Sequence, residues 1–271
     1  VFHSSPTSAR VLVPLIEALM ESRPVLGFDT LGNGESDKPP GWEIAPSWEP
    51  GGLDELSGAN KPAEPWIDPT ITDFAAVVVE ALDTLGVEEI DLYGSLTGGL
   101  LAVETAIAIG PERTGSVIVD GLPWFTPEQE EQMLGTYTPP LEPRWDGSHL
   151  LFAWSFLRAA FEYWPWYQQN GDTIVPWEPP PTEFLHSWVS EFVKSGHTYP
   201  LAYRAAFRYR VEERLPLLES PLLVVAPEGD QMTPRSEPGA ALAPNGIARI
   251  KPPGLGGQVD LYSRFAAGEA V

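Results

Sequence analysis

Apolar and polar positions change period several times along this chain. Val11, Leu12, Leu15, Ile16 and Leu19 recur at helical spacing behind Ser8, a suitable N-cap. Val1-Phe2 and residues 24–29 are short apolar runs of strand type, and residues 30–37 are rich in turn formers. Residues 71–85 carry an amphipathic helical pattern that Gly86 can close. A β-type run over 88–95, a helical run over 98–109 stopped by Pro111, and a buried strand over 114–120 follow. This alternation predicts a parallel sheet covered on both faces. It then breaks. From 121 to about 218 the pattern predicts helices rich in large aromatics, at 149–163, 182–194 and 199–211. In the first of them Leu150, Trp154, Leu157 and Phe161 share a face. A strand at 221–226, a helix near 237–242, a strand near 247–251, a loop over 252–257 and a helix over 259–267 complete the chain. The fold class is α/β, with core segments 1–121 and 219–271 and an inserted helical cap over 122–218.

Composition narrows what such a fold can do. The 271 residues suffice for one α/β domain with an insertion. A net charge of −22 supplies no basic footprint for nucleic acid and disfavours an anionic membrane surface. There is no cysteine, so disulfides and thiolate chemistry are excluded. No apolar run reaches the length of a membrane span and no leader is visible, so a cytoplasmic location is expected. Residues 38–70 form an aperiodic stretch rich in Pro and Gly, in which Trp42, Trp48 and Trp66 either line a site or pin the loop.

The chemistry concentrates at Gly94-Ser95-Leu96-Thr97-Gly98-Gly99, between the predicted strand and helix. This is the context of a G-x-S-x-G nucleophile elbow, in which glycines let strand and helix pass closely. Three further stretches match one family. His3-Ser4-Ser5-Pro6-Thr7-Ser8 looks like an H-G-N-P-T-S loop. Asp29 to Pro39 follows a D-x-x-G-x-G-x-S-D-x-P pattern, and Asp230 stands where an acid follows the seventh strand. With these motifs in order the chain resembles the α/β-hydrolase superfamily, nearest its haloalkane dehalogenase and epoxide hydrolase branch. That resemblance implies an α/β-hydrolase fold whose first two strands are missing before Val1.

It also exposes two departures. The nucleophile position falls on Leu96, and the general-base histidine position falls on Gly257 within Gly254-Leu255-Gly256-Gly257. A nucleophile and its base work as a unit, so covalent catalysis of the usual kind is not expected. Asp230 remains as the family acid, with Asp120, at the end of a strand, as an alternative acid or base. His186 is the cap histidine preferred as a displaced base over His149 and His197. The backbone N–H groups of Ser5 and Thr97 are candidates for an oxyanion hole. Ser95 and Thr97 flank the tip, with side chains expected to point away from the pocket. The substrate wall is expected to comprise His3, Leu96, Trp124, Phe125, Trp154, Trp164 and Tyr167. No pair of histidines has metal-ligand spacing, so neither metal nor other cofactor is expected.

The expected function is an enzyme acting on a small hydrophobic molecule, by hydrolysis or by cofactor-free lyase or isomerase chemistry. The alternatives are a non-catalytic ligand-binding protein and an inactivated hydrolase variant. The partner is a small hydrophobic molecule, with a homodimer left open.

Overall fold

The computed structural model describes residues 1–42 and 68–271. Trp48 and Trp66 lie outside the described residues. Helix α1 (Val13–Met20) follows a 3-10 turn capped by Ser8 and buries Leu15 and Leu19. Helix α2 (Ile71–Thr84) begins at a reciprocal capping box between Thr70 and Asp73 and closes at Gly86. Strand β1 (Ile90–Ser95), helix α3 (Thr97–Ile109) and strand β2 (Thr114–Asp120) form the first half of a parallel unit.

Between β2 and the next strand come α4 (Pro127–Thr136), α5 (Ser148–Glu162), α6 (Thr182–Ser195), α7 (Tyr199–Phe207) and α8 (Val211–Arg214). Strand β3 (Leu222–Ala226), helix α9 (Thr233–Ala240), strand β4 (Gly246–Ile250) and helix α10 (Leu255–Ala266) follow.

The sheet runs β1-β2-β3-β4 with every pair parallel. Phe2 extends it beyond β1 by bridging in parallel to both Gly94 and Phe28. Alternate residues of the central strands point to opposite faces, and both faces are buried. Val117, Val119, Leu222 and Val224 pack toward α2 and α3, while Ile118, Leu223 and Val225 pack with α1 and α10. The helical segment between β2 and β3 has its own aromatic core, centred on Tyr137, Phe156, Phe192 and Tyr199.

Polar ties fasten that segment to the sheet domain. Tyr203 donates to the Ser5 carbonyl (2.7 Å), Ser195 to the Asn33 side chain (2.9 Å), and Lys38 to the carbonyls of Lys194 and Ser195. Arg214 grips Glu104 through two 2.7 Å bonds, and Tyr209 donates to the same carboxylate. Glu104 is only 1% exposed, so a partner of this strength is what its burial requires.

Several elements differ from the sequence pattern. The helix expected over 199–211 breaks after Phe207, because Arg208, Tyr209 and Arg210 turn to separate partners, Asp68, Glu104 and Glu130. Helix α10 begins at Leu255, four residues early, so Gly256 and Gly257 are helical. Docking of Leu261, Tyr262 and Phe265 outweighs the poor helix propensity of glycine there. Helix α4 has no counterpart in the expected elements, although its capping box of Thr126 and Gln129 was readable. Leu150, expected to share a face of α5 with Leu157, is 49% exposed whereas Leu157 is 2% exposed.

The elbow is held by contacts too tight for side chains. A Cβ on Gly94 would lie 1.9 Å from the Gly98 carbonyl oxygen, and one on Gly98 would lie 2.5 Å from the carbonyl oxygens of Phe2 and His3. Gly98→Ala is therefore expected to destabilise the fold by about 3 kcal/mol or more, since backbone on both sides must shift. Gly86→Ala meets open space and only the strain of a positive φ, so it should cost about 1 kcal/mol. Urea unfolding of the two variants checks the contrast; equal losses would refute it.

Candidate functional site

Strand β1 ends at Ser95 and α3 begins at Thr97, so Leu96 makes the turn alone. Its φ of 49° and ψ of −113° lie where side chains crowd the backbone, a strain of about 1–3 kcal/mol. The neighbours on both sides impose it. Ser95 N–H donates to the Phe2 carbonyl (3.1 Å), and Leu96 N–H donates to the Asp120 carbonyl (2.9 Å). The Leu96 side chain lies over Gly121, where a Cβ would come within 2.7 Å of Leu96 Cδ2.

Above this tip is a cavity of about 210 Å³. Its floor is Ser4, Ser5, Pro6, Leu96 and Thr97. Helices α4 to α7 and the loops between them supply aromatic walls, including Tyr137, Phe161, Trp164, Trp177, Trp188 and Tyr203. Phe125, Asp230 and Met232 close the remaining side. Pockets of this kind are largely apolar with a few placed polar groups.

Here the polar groups are few. The backbone N–H groups of Ser5 and Thr97 have no acceptor among the described residues. Among the described residues Asp230 is the only carboxylate on the wall, and no lysine, arginine or histidine lines it. Asp230 Oδ1 accepts from Met232 N–H (2.6 Å), which leaves Oδ2 without a hydrogen-bond partner among the described residues. Burial raises the Asp230 carboxyl above its usual range, and the charge of Asp120 adds to this. The Met232 N–H and the Lys251 charge oppose the shift.

The other expected site residues lie elsewhere. Asp120 is not on the cavity wall. It is 6% exposed and accepts from Lys251 (2.5 Å) and Tyr93 (2.8 Å), which commits it to a buried ion pair. His186 is on the exposed side of α6, because α6 turns Leu185 and Phe192 inward instead. His149 accepts from Arg144 N–H, and His197 stacks on Trp42 and bonds its carbonyl. No histidine of the helical segment therefore reaches the cavity.

His3 is buried beneath the floor. Its Nε2 accepts from Thr30 N–H (3.0 Å), so Nδ1 carries the proton and donates to the Ser4 carbonyl (3.0 Å). Burial lowers its pKa and keeps it neutral. Trp124 turns away and donates to Glu212 (2.6 Å). Trp154 and Tyr167 belong to the aromatic core of the helical segment. Gly257 is exposed in the first turn of α10, and a Cβ there would face Pro252 at 3.0 Å.

Of the expected residues, the structure gathers Ser5, Leu96, Thr97, Phe125, Trp164 and Asp230 around one cavity. Met133, Tyr137, Trp177, Tyr203 and Phe207 line it without having been singled out. The capping box that starts α4 was the available signal for the first two.

These features define a class. The chain belongs to the alpha/beta hydrolase fold family, whose model matches residues 1–241. Among solved structures it is similar to a hydrolase from Pseudomonas aeruginosa PA01, with 19% identity, a TM-score of 0.64, and 98% of this chain and 85% of that one covered. It is also similar to an esterase from Exiguobacterium antarcticum, with 16% identity, a TM-score of 0.63, and coverage of 98% and 88%. An enol-lactonase from Burkholderia xenovorans LB400 gives 18% identity, a TM-score of 0.60, and coverage of 98% and 87%. At such identities the likeness is one of fold. No curated protein matches the chain. Among the described residues, no helix is long and apolar enough to cross a membrane.

The state of Asp230 has a measurable consequence. Its pKa is higher folded than unfolded, so the protein loses stability as pH rises through the folded value. Asp230→Asn keeps an acceptor for Met232 N–H and removes that loss. The variant and parent should therefore keep a constant difference in Tm below about pH 4. The variant should gain on the parent between there and neutrality. Thermal melts across that range test it, and a gap that stays flat or turns against the variant would show that the surroundings do not raise the Asp230 pKa.

Proposed function

We propose that this protein binds a small hydrophobic carbonyl compound in the cavity above Leu96 and moves a proton on it without a covalent intermediate. One observation carries the reading. Ser5, Thr97 and Asp230 line the same apolar cavity, and the N–H groups of the first two and Oδ2 of the third have no hydrogen-bond partner among the described residues. A carbonyl oxygen seated on the two N–H groups would have its developing negative charge stabilised as an enolate forms. Asp230, with its proton affinity raised by burial, would take the proton from the carbon next to that carbonyl. The proton would return at the same or another carbon, giving racemase or isomerase chemistry with no cofactor.

Leu96 cannot attack a substrate, and no imidazole reaches the cavity to activate water. Both features disfavour hydrolysis by the usual triad, whose nucleophile and histidine positions this chain fills with Leu96 and Gly257. They also favour a second reading, in which the degenerate site binds its ligand and does not turn it over.

Exchange of α-hydrogens separates the two readings. Acetophenone and cyclohexanone, incubated with the protein in D2O, should take up deuterium next to the carbonyl faster than in buffer. Asp230→Asn should reduce that rate by about 100-fold, with binding, read by tryptophan fluorescence, retained. Binding with no exchange above buffer would leave the non-catalytic reading standing. Equal exchange by parent and variant would remove Asp230 from the chemistry.

A further inference from the structure

The cavity holds a charge problem that the fold leaves unsolved. Buried carboxylates are ordinarily paired, and the half-buried Asp230 is an exception to this in the protein. Glu191, 3% exposed, has Arg10 and Lys194. Glu104 has Arg214, and Asp120 has Lys251. Asp230 has a single backbone donor on one oxygen and no ion-pair partner among the described residues. The two cations nearest in the fold are both committed. Lys251 is bonded to Asp120, and Arg235 lies 5.7 Å from the centre of the Phe125 ring with its guanidinium donating to Gln129.

The walls around this carboxylate are aromatic. Trp164, Trp177, Trp188 and Phe161 all line the cavity. Pro176 packs against Gly229, at 3.4 Å from its Cβ position, which brings the Trp177 segment against the Asp230 loop. Aromatic faces carry negative quadrupole density and attract an alkylated ammonium group, most strongly where water is excluded.

We propose that the ligand of this cavity is a hydrophobic organic cation, with its alkylammonium group held between Asp230 and the tryptophan faces. The inference rests on the reading of this cavity as the ligand site, and not on whether the ligand is turned over. Such a ligand supplies the missing partner of Asp230 and fills the apolar remainder with its carbon skeleton. A carboxylate of the same shape would meet Asp230 and the ring faces with no lining cation to receive it. The unpaired N–H groups of Ser5 and Thr97 remain free for an oxygen at the other end of the molecule.

Three probes of matched shape test the proposal. Benzyltrimethylammonium, its uncharged carbon isostere neopentylbenzene, and phenylacetate are titrated into the full chain, with tryptophan fluorescence and calorimetry as readouts. The cation should bind at least about tenfold more tightly than the isostere, and phenylacetate more weakly than either. Asp230→Asn should remove most of the cation's advantage while leaving neopentylbenzene binding unchanged. Trp177→Leu should weaken the cation more than the isostere. Circular dichroism establishes that both variants fold.

Equal binding of cation and isostere, or a cation affinity untouched by Asp230→Asn, overturns the proposal while the cavity remains a ligand site. Tighter binding of phenylacetate overturns it as well. Failure of all three probes to bind would overturn this inference and the ligand-site reading together.

Discussion

The approach of α3 to β1 is the constraint on which the rest of the molecule depends. Gly94 and Gly98 face each other at a distance no Cβ allows, and Gly98 also rests on the carbonyls of Phe2 and His3. The segment containing Phe2 is thereby seated against β1, and its loop runs over the start of α3. Leu96 is forced into a positive φ by the same contacts, because its own N–H is bonded to β2 and that of Ser95 to Phe2. The strain at Leu96 is thus a consequence of where the sheet and helix must be. It persists although the residue there has no group for the chemistry such turns commonly serve. The turn is set by these backbone contacts, so it survives the identity of residue 96.

Buried charge is the second organising theme, and it is handled in two ways. Glu104 and Asp120 are buried and fully partnered. Each joins distant parts of the chain: Glu104 ties α3 to the start of the β3 approach, and Asp120 ties β2 to the end of β4 across β3. Removing one partner of such a pair costs far more than the pair itself contributes. Asp230 departs from this rule. Half-buried, it follows β3 at the same end of the sheet and lines the cavity, and its second oxygen has no hydrogen-bond partner among the described residues. The contrast between a carboxylate used as mortar and one left available separates structural acids from a functional candidate in this protein.

Much of the fold was legible because it follows from short-range rules. Strand and helix periods located β1, β2, β3 and the helices α3, α5 and α6, though not α4, and the glycine spacing of the elbow located the turn whose steric demand only glycine meets. The lining of the candidate cavity was legible at the motif positions Ser5, Leu96, Thr97 and Asp230. It was not legible where a face had to be chosen. Residues 149–163 carry large aromatics around much of their circumference, and periodicity cannot say which side meets the sheet domain and which meets α6. Trp154 packs within the helical segment, while Leu157 and Phe161 reach the cavity. Similarly, His186 and Trp188 share one helix, and a rotation of about 200° over two residues puts one in solvent and the other on the wall.

That asymmetry bears on how this site was assembled. The floor belongs to the sheet domain and is set by backbone contacts that tolerate little change. The walls belong to helices that pack on one another through aromatic side chains, a core that can exchange one large ring for another at small cost. Substitutions at Tyr137, Phe161, Trp177 or Trp188 can therefore reshape the cavity while the elbow, the N–H pair and Asp230 stay in place. The shape of the cavity is accordingly a property of the helical segment, and its polar groups belong to the floor and to Asp230.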